Sequence, residues 1–177
     1  MKILFLVLFI SPFVSAQWMA GASYKIKSEV PSNGIGLNIN RNLPLQGASF
    51  GVHLRFEINL FRETAAVKSS LINEQKFLSE DYNLQLIGNY YFRNFTPYFG
   101  LGGGYAELDT KNKDWQGFVF SLIAGNKFIF NKIIIPYLEV QLFKYFGEFN
   151  SNQWGRDIDD YQLRGTIGIY IPISSSN

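Results

Sequence analysis

Residues 49–60, SFGVHLRFEINL, alternate without a break. Phe50, Val52, Leu54, Phe56, Ile58 and Leu60 form one set, and Ser49, Gly51, His53, Arg55, Glu57 and Asn59 form the other. Side chains on a strand point alternately to its two faces, so this segment is a strand with one apolar and one polar face. The pattern recurs along the chain. Trp18, Ala20, Ala22, Tyr24 and Ile26 alternate with Met19, Gly21, Ser23, Lys25 and Lys27, and Ile35, Leu37 and Ile39 with Gly36, Asn38 and Asn40. Further on, Tyr82, Leu84, Leu86, Tyr90 and Phe92 alternate with Asn83, Gln85, Asn89 and Arg93, and Phe99, Leu101 and Tyr105 with Gly100, Gly102, Gly104 and Ala106. Phe118, Phe120, Leu122 and Phe128 stand against Gly117, Ser121, Gly125 and Lys127. Leu138, Val140 and Leu142 stand against Tyr137, Glu139 and Gln141, and Tyr161, Leu163, Ile167, Ile169 and Ile171 against Gln162, Arg164, Thr166 and Tyr170. That is about eight strands, most of them longer than the roughly 5–6 residues usual in globular sheets.

The connections alternate too. RNLPLQ, RNFTP and FNK are short, with Asn and Pro as turn residues. SEVPSN, RETAAVKSSLINEQKFLSE, DTKNKD and GEFNSNQWGRD are more polar, and two of them are clearly longer. An all-β, antiparallel up-and-down barrel of about eight strands produces this pattern, with both termini at the short-turn end. Pro136, which cannot donate to a ladder, is expected at the rim beside the FNK turn. The segment from Arg62 to Ser79 reads as a long loop with some helical periodicity through Val67, Leu71, Ile72 and Leu78.

Composition decides which face meets water. Charged residues make up 17% of the 177-residue chain and aromatic residues another 17%, the first low and the second high for a soluble domain. The apolar set is nearly free of charge. It carries aromatics toward strand ends, including Trp18, Phe50, Tyr82, Phe92, Phe118, Phe128 and Tyr161, as a lipid–water interface favours. Lys144 falls on the apolar face near a strand end, from where it reaches the headgroups by snorkelling. The polar set is rich in Gly, Ser, Asn and Gln, with charges of both signs near mid-strand. Lys25, His53, Arg55, Glu57, Glu139 and Arg164 therefore read as a luminal polar network. The apolar face points to lipid, and Leu54 and Leu86 are expected near the bilayer midplane. A soluble periplasmic carrier barrel, the opposite arrangement, would carry a charge-rich outer face.

The first residues, MKILFLVLFISPFVSA, combine a basic Lys2, a short apolar core and small residues at Val14 and Ala16. They read as a secretory signal peptide over 1–16, leaving a barrel domain over 17–177. No later run reaches the length of an apolar membrane helix. From Gln17 to Ile173 the chain resembles the small bacterial outer-membrane barrels, of the type of the OmpA membrane domain and OmpX. TIGIYIPI, through Thr166, Gly168, Ile171 and Ile173, is similar to the assembly signal of that class, although it lacks a terminal aromatic and is followed by SSSN. The resemblance implies outer-membrane lipid and the barrel-assembly machinery as partners.

Chemistry is sparse. Cysteine is absent and His53 is the only histidine, which supports neither a zinc site nor a thiolate. A few outer-membrane barrels are lipid-modifying enzymes that pair a histidine with a serine or carboxylate. Ser49 and Glu57 lie on the strand face of His53, but that face reads as luminal, away from lipid substrates. GLGGGY continues as strand rather than opening a helix, so its glycines are small luminal residues and not a phosphate loop. Asp157, Asp159 and Asp160 lack the glycine and terminal glutamate of a calcium loop. With a net charge of +2, nothing indicates a nucleic-acid partner. No catalytic residue, metal or cofactor is expected. The expected role is structural or surface-binding, with a possible protein partner at the extracellular loops, chiefly Arg62 to Ser79 and Gly147 to Asp157, and with the lumen closed. The alternatives are an accessory subunit of an envelope secretion or transport machine, or a lipid-modifying enzyme.

Overall fold

A computed structural model describes residues 18–27, 32–43, 49–66, 74–109, 115–130, 133–146 and 161–173. They form eight strands: β1 (Trp18–Lys27), β2 (Ser32–Leu43), β3 (Phe50–Ala66), β4 (Glu74–Tyr90), β5 (Phe95–Asp109), β6 (Trp115–Phe128), β7 (Ile135–Phe146) and β8 (Tyr161–Pro172). Each pairs antiparallel with its sequence neighbours, and β8 closes on β1, giving a barrel with no free edge through its body. The residues proposed as signal peptide lie outside the described residues.

The register sets the barrel's shape. Partners followed from Trp18 run through Arg41, Leu54, Leu86, Leu101, Leu122, Leu142 and Leu163. Since Lys27 pairs with Arg164, the row returns to β1 at position 28, ten residues beyond its start. Eight strands with such a stagger tilt by about 40° and leave an interior that side chains fill. The row is therefore a spiral of six leucines on the outer wall, climbing from the short-turn end at Arg41 to the long-loop end at Leu163. Leu101 sits at mid-height, with Leu86 next to it. Leu54 lies nearer the short turns than the sequence alone suggested.

The outer wall is apolar: Ile35, Leu37, Leu84, Leu86, Phe99, Leu101, Leu122, Leu138, Val140, Leu163 and Ile167 are all exposed. In water this surface would be an enormous apolar patch; a transmembrane barrel presents it to lipid. Tyr82, Tyr105, Phe118, Phe146 and Tyr161 stand at its upper margin, and Trp18, Phe50, Tyr90, Phe92 and Phe95 at its lower one. Lys144 lies on this wall, with its ammonium 5.2 Å from the rings of both Phe146 and Tyr161. Pro136 is the second residue of β7, at the short-turn rim.

The long-loop reading of Arg62 to Ser79 needs correction. β3 continues to Ala66 and β4 begins at Glu74, with Glu63 opposite Phe77 and Ala66 opposite Glu74. The helical periodicity misled because a hairpin outside the membrane has no lipid face to enforce alternation. Val67, Leu71 and Ile72 lie outside the described residues. At the other end the turn after β4 is tighter than RNFTP suggested. β4 stops at Tyr90, before Phe92 and Arg93, and β5 starts at Phe95, so Thr96 and Pro97 belong to a strand. Phe92 N–H donates to Phe95 O at 3.1 Å and closes the turn. The loop from Gly147 to Asp157 and the aspartates at 157, 159 and 160 lie outside the described residues.

Candidate functional site: the luminal polar network

The inward set includes the largest fully buried side chains of the barrel, among them Arg55, Arg164, Tyr137, Tyr170, Lys25 and Phe61. Small residues make room for them. Four luminal aromatics each face a glycine across the ladder: Phe61 opposite Gly34, Tyr98 opposite Gly125, Tyr137 opposite Gly168 and Tyr170 opposite Gly21. A Cβ at Gly168 would come 2.6 Å from the Tyr137 ring, and one at Gly21 2.8 Å from that of Tyr170. The glycines thus let the rings lie flat on the wall, where Tyr137 and Tyr170 stack at 4.3 Å between centroids.

Among the described residues, three ion pairs stand at two levels of this packing. In the middle, Lys25 Nζ is 2.9 Å from Glu57 Oε2, and Arg55 Nη2 is 2.7 Å from Glu139 Oε2, with all four side chains fully buried. Two glutamines join the pairs. Gln85 accepts from Arg55 Nε and donates to Glu57 at 3.3 Å. Gln141 donates to Glu139 and, at 3.4 Å, to Glu57. Tyr98 Oη donates to Glu139 at 2.8 Å, and Arg55 Nη1 donates to Tyr170 Oη at 2.8 Å. Such bonding is what buried charge requires; an unpaired ion here would carry a large desolvation cost.

Toward the long loops Arg164 Nη1 lies 2.5 Å from Asp81 Oδ2, and Asp81 also accepts from Asn59 at 2.6 Å and Asn83 at 2.5 Å. The Arg164 guanidinium rests on the rings of Phe143 at 3.7 Å and Phe61 at 4.6 Å. Lys27 lies over the other part of this roof, 4.0 Å from the Phe61 ring. Toward the short turns, Lys127 donates to Asn89 Oδ1 at 2.8 Å, and Asn89 Nδ2 contacts His53 Nδ1 at 2.6 Å.

The six residues picked from sequence all lie in the lumen, but not as one group. Lys25, Arg55, Glu57 and Glu139 share the middle layer, Arg164 belongs to the roof and His53 to the floor. Three charged residues of the lumen, Lys27, Asp81 and Lys127, are not among those six. All carry the inward parity of their strands, and parity was the signal available. Asp81 was passed over because it stands next to what looked like a loop, and Lys127 because it stands next to a turn. Neither Ser49 nor Glu57 bonds to His53. Among the described residues, no group of three or more His, Cys, Asp and Glu side chains is placed to hold a metal.

No protein-family model matches the sequence, and no curated protein matches it either. Solved structures do. Neisserial surface protein A (NspA) aligns with a TM-score of 0.57 at 12% identity, covering 88% of this chain and 96% of that one. The outer-membrane enzyme PagL aligns at 0.55 and 11% identity over 88% and 99% of the two chains. Ail, the attachment invasion locus protein of Yersinia pestis, aligns at 0.54 and 12% identity over 89% and 97%. Identities this low speak for the fold alone, and these three folds serve different ends. With its eight closed antiparallel strands and outward apolar wall, the chain has the fold of the small bacterial outer-membrane barrels of OmpA and OmpX type.

Proposed function

We propose that the protein is a non-enzymatic barrel of the bacterial outer membrane, closed along its axis, that acts by binding at the cell surface through its long-loop end. It is delivered by a signal peptide cleaved near Ala16 and inserted by the barrel-assembly machinery, for which TIGIYIPI is the signal. The observation that carries the binding role is the uneven height of the wall. β2 reaches β3 no further than Asn33 opposite Arg62, and β4 reaches β5 no further than Leu78 opposite Asp109. Beyond those points, among the described residues, β3 and β4 pair with each other through Ala66 and Glu74. Four extra residues at about 3.3 Å each, tilted by about 40°, lift this hairpin roughly 10 Å above the described ends of β2 and β5. Surface elements held on a rigid scaffold are where binding resides. Ail, of similar fold, was crystallised in complex with the heparin analogue sucrose octasulfate, so a barrel of this size accommodates a ligand.

PagL raises the enzymatic reading. The placement of the sole histidine opposes it, because His53 is fully buried inside the barrel and is not presented to lipid. An epitope inserted between residues 67 and 73 tests the proposal. Antibody is expected to label it on intact cells while the barrel keeps its heat-dependent gel mobility, and expression is expected to leave lipid A masses unchanged. Labelling only after permeabilisation, or a new lipid A species, would refute the respective part.

A further inference from the structure

The floor of the lumen holds a cation outside the three ion pairs. Lys127 is 5% exposed, near the end of β6. Glu57, Glu139 and Asp81 are taken by Lys25, Arg55 and Arg164, and among the described residues no carboxylate oxygen lies within 4.0 Å of Lys127 Nζ. Its acceptor is a neutral amide oxygen, Asn89 Oδ1. The ring centroids of Tyr98 and Tyr170 stand 5.2 and 5.4 Å from its ammonium, while their hydroxyls bond to Glu139 and Arg55. An ammonium carries three donors, so two are left over. Thr96, the direct cross-strand neighbour of Lys127, is 1% exposed and its hydroxyl has no partner. A further donor follows from the amide between Lys127 and His53. Because Asn89 Oδ1 accepts from Lys127, its Nδ2 donates to His53 Nδ1, which places the ring proton on Nε2; that atom is buried without a partner.

We propose that the floor binds a small monovalent anion of halide type beside Lys127 and Thr96. The surplus there is of donors and of positive charge, and one chloride supplies both missing quantities. Water would satisfy the donors and leave the charge. Thr96 and Lys127 are direct neighbours across the β5–β6 ladder, so one small ion reaches both. The proposal is independent of the surface-binding role.

Two measurements on the refolded full barrel decide it. The first is thermal unfolding, read by gel mobility, in sodium chloride and in sodium gluconate at equal ionic strength. Chloride is expected to raise the midpoint in a saturable way. Thr96→Val and Lys127→Gln are expected to flatten that response, and Lys144→Gln, on the outer wall, to keep it. The second is anomalous diffraction from crystals grown in bromide, with a peak expected within hydrogen-bond reach of Lys127 and Thr96. Equal wild-type midpoints in the two salts, or bromide absent from the floor, overturn the proposal. If Lys127→Gln does not refold, Thr96→Val and the wild-type bromide map still decide.

Discussion

At the level of single residues, the lumen shows why opposite charges belong at mid-strand in a narrow barrel. Lys25 and Glu57 are both fully buried, 2.9 Å apart, so each is the other's counter-charge. Removing one leaves the other as an unpaired buried ion, which costs about 3–5 kcal/mol, whereas removing both together removes the penalty with the charge. Lys25→Met is therefore expected to destabilise the refolded barrel more than the double substitution Lys25→Met with Glu57→Gln, measured by urea unfolding in micelles. An absence of coupling in that cycle would show that the pair is not a unit. Glycine poses the complementary case. Gly168→Val puts a branched side chain against the Tyr137 ring and, at 2.7 Å from its Cβ, the Ala22 carbonyl oxygen, so lower stability is expected, relieved in part when Tyr137→Ala is added. Relief is the informative readout, since a merely backbone effect of losing glycine would persist in the double variant.

At the level of elements, strand alternation carried most of the information, and the leucine spiral tests how well. An arginine on the lipid face costs roughly 2–4 kcal/mol at mid-bilayer and about 0–1 near the interfaces. Arginine substitutions along the spiral are expected to follow that profile: Leu101 and Leu86 most costly, Leu54 less and Leu163 least. Arg41, the position of the row one strand before Leu54, is outside this comparison, because it is buried at the lower margin with its guanidinium 5.6 Å from the Trp18 ring. A flat series of unfolding free energies would mean that the row does not climb through the bilayer. The faces of β3, β4 and β8 were legible because lipid and lumen impose opposite demands on alternate residues. What stayed hidden obeys no such demand. The hairpin tip over 63–66 and 74–77 continues past the described ends of β2 and β5, its sequence does not alternate, and it read as loop. The bonding pattern of the lumen stayed hidden for another reason. Parity says that Glu57 and Arg164 both point inward, but only the ten-residue stagger brings Arg164 to Asp81 and leaves Glu57 to Lys25.

For the whole molecule, the question is whether the axis conducts. Porins with water-filled channels use roughly 16–18 strands, and eight leave an interior that side chains occupy. The occupants here are cross-linked at several heights. Tyr137 stacks on Tyr170 near the floor, Arg55 ties Glu139 to Tyr170 and Gln85 above them, and Arg164 lies on Phe143 and Phe61 in the roof. A hydrated ion would have to break an ion pair or an aromatic stack at more than one level, since no single side chain serves as a gate. Planar-bilayer recordings of the pure refolded protein are therefore expected to show no steady conductance. Replacing Arg55 and Glu139 together by alanine opens the middle layer but leaves the roof intact, so that variant is expected to stay silent. Conductance in the wild type would refute the closed lumen. Conductance in the Arg55→Ala, Glu139→Ala variant alone would show that the middle layer is the only barrier and that the roof around Arg164 admits ions.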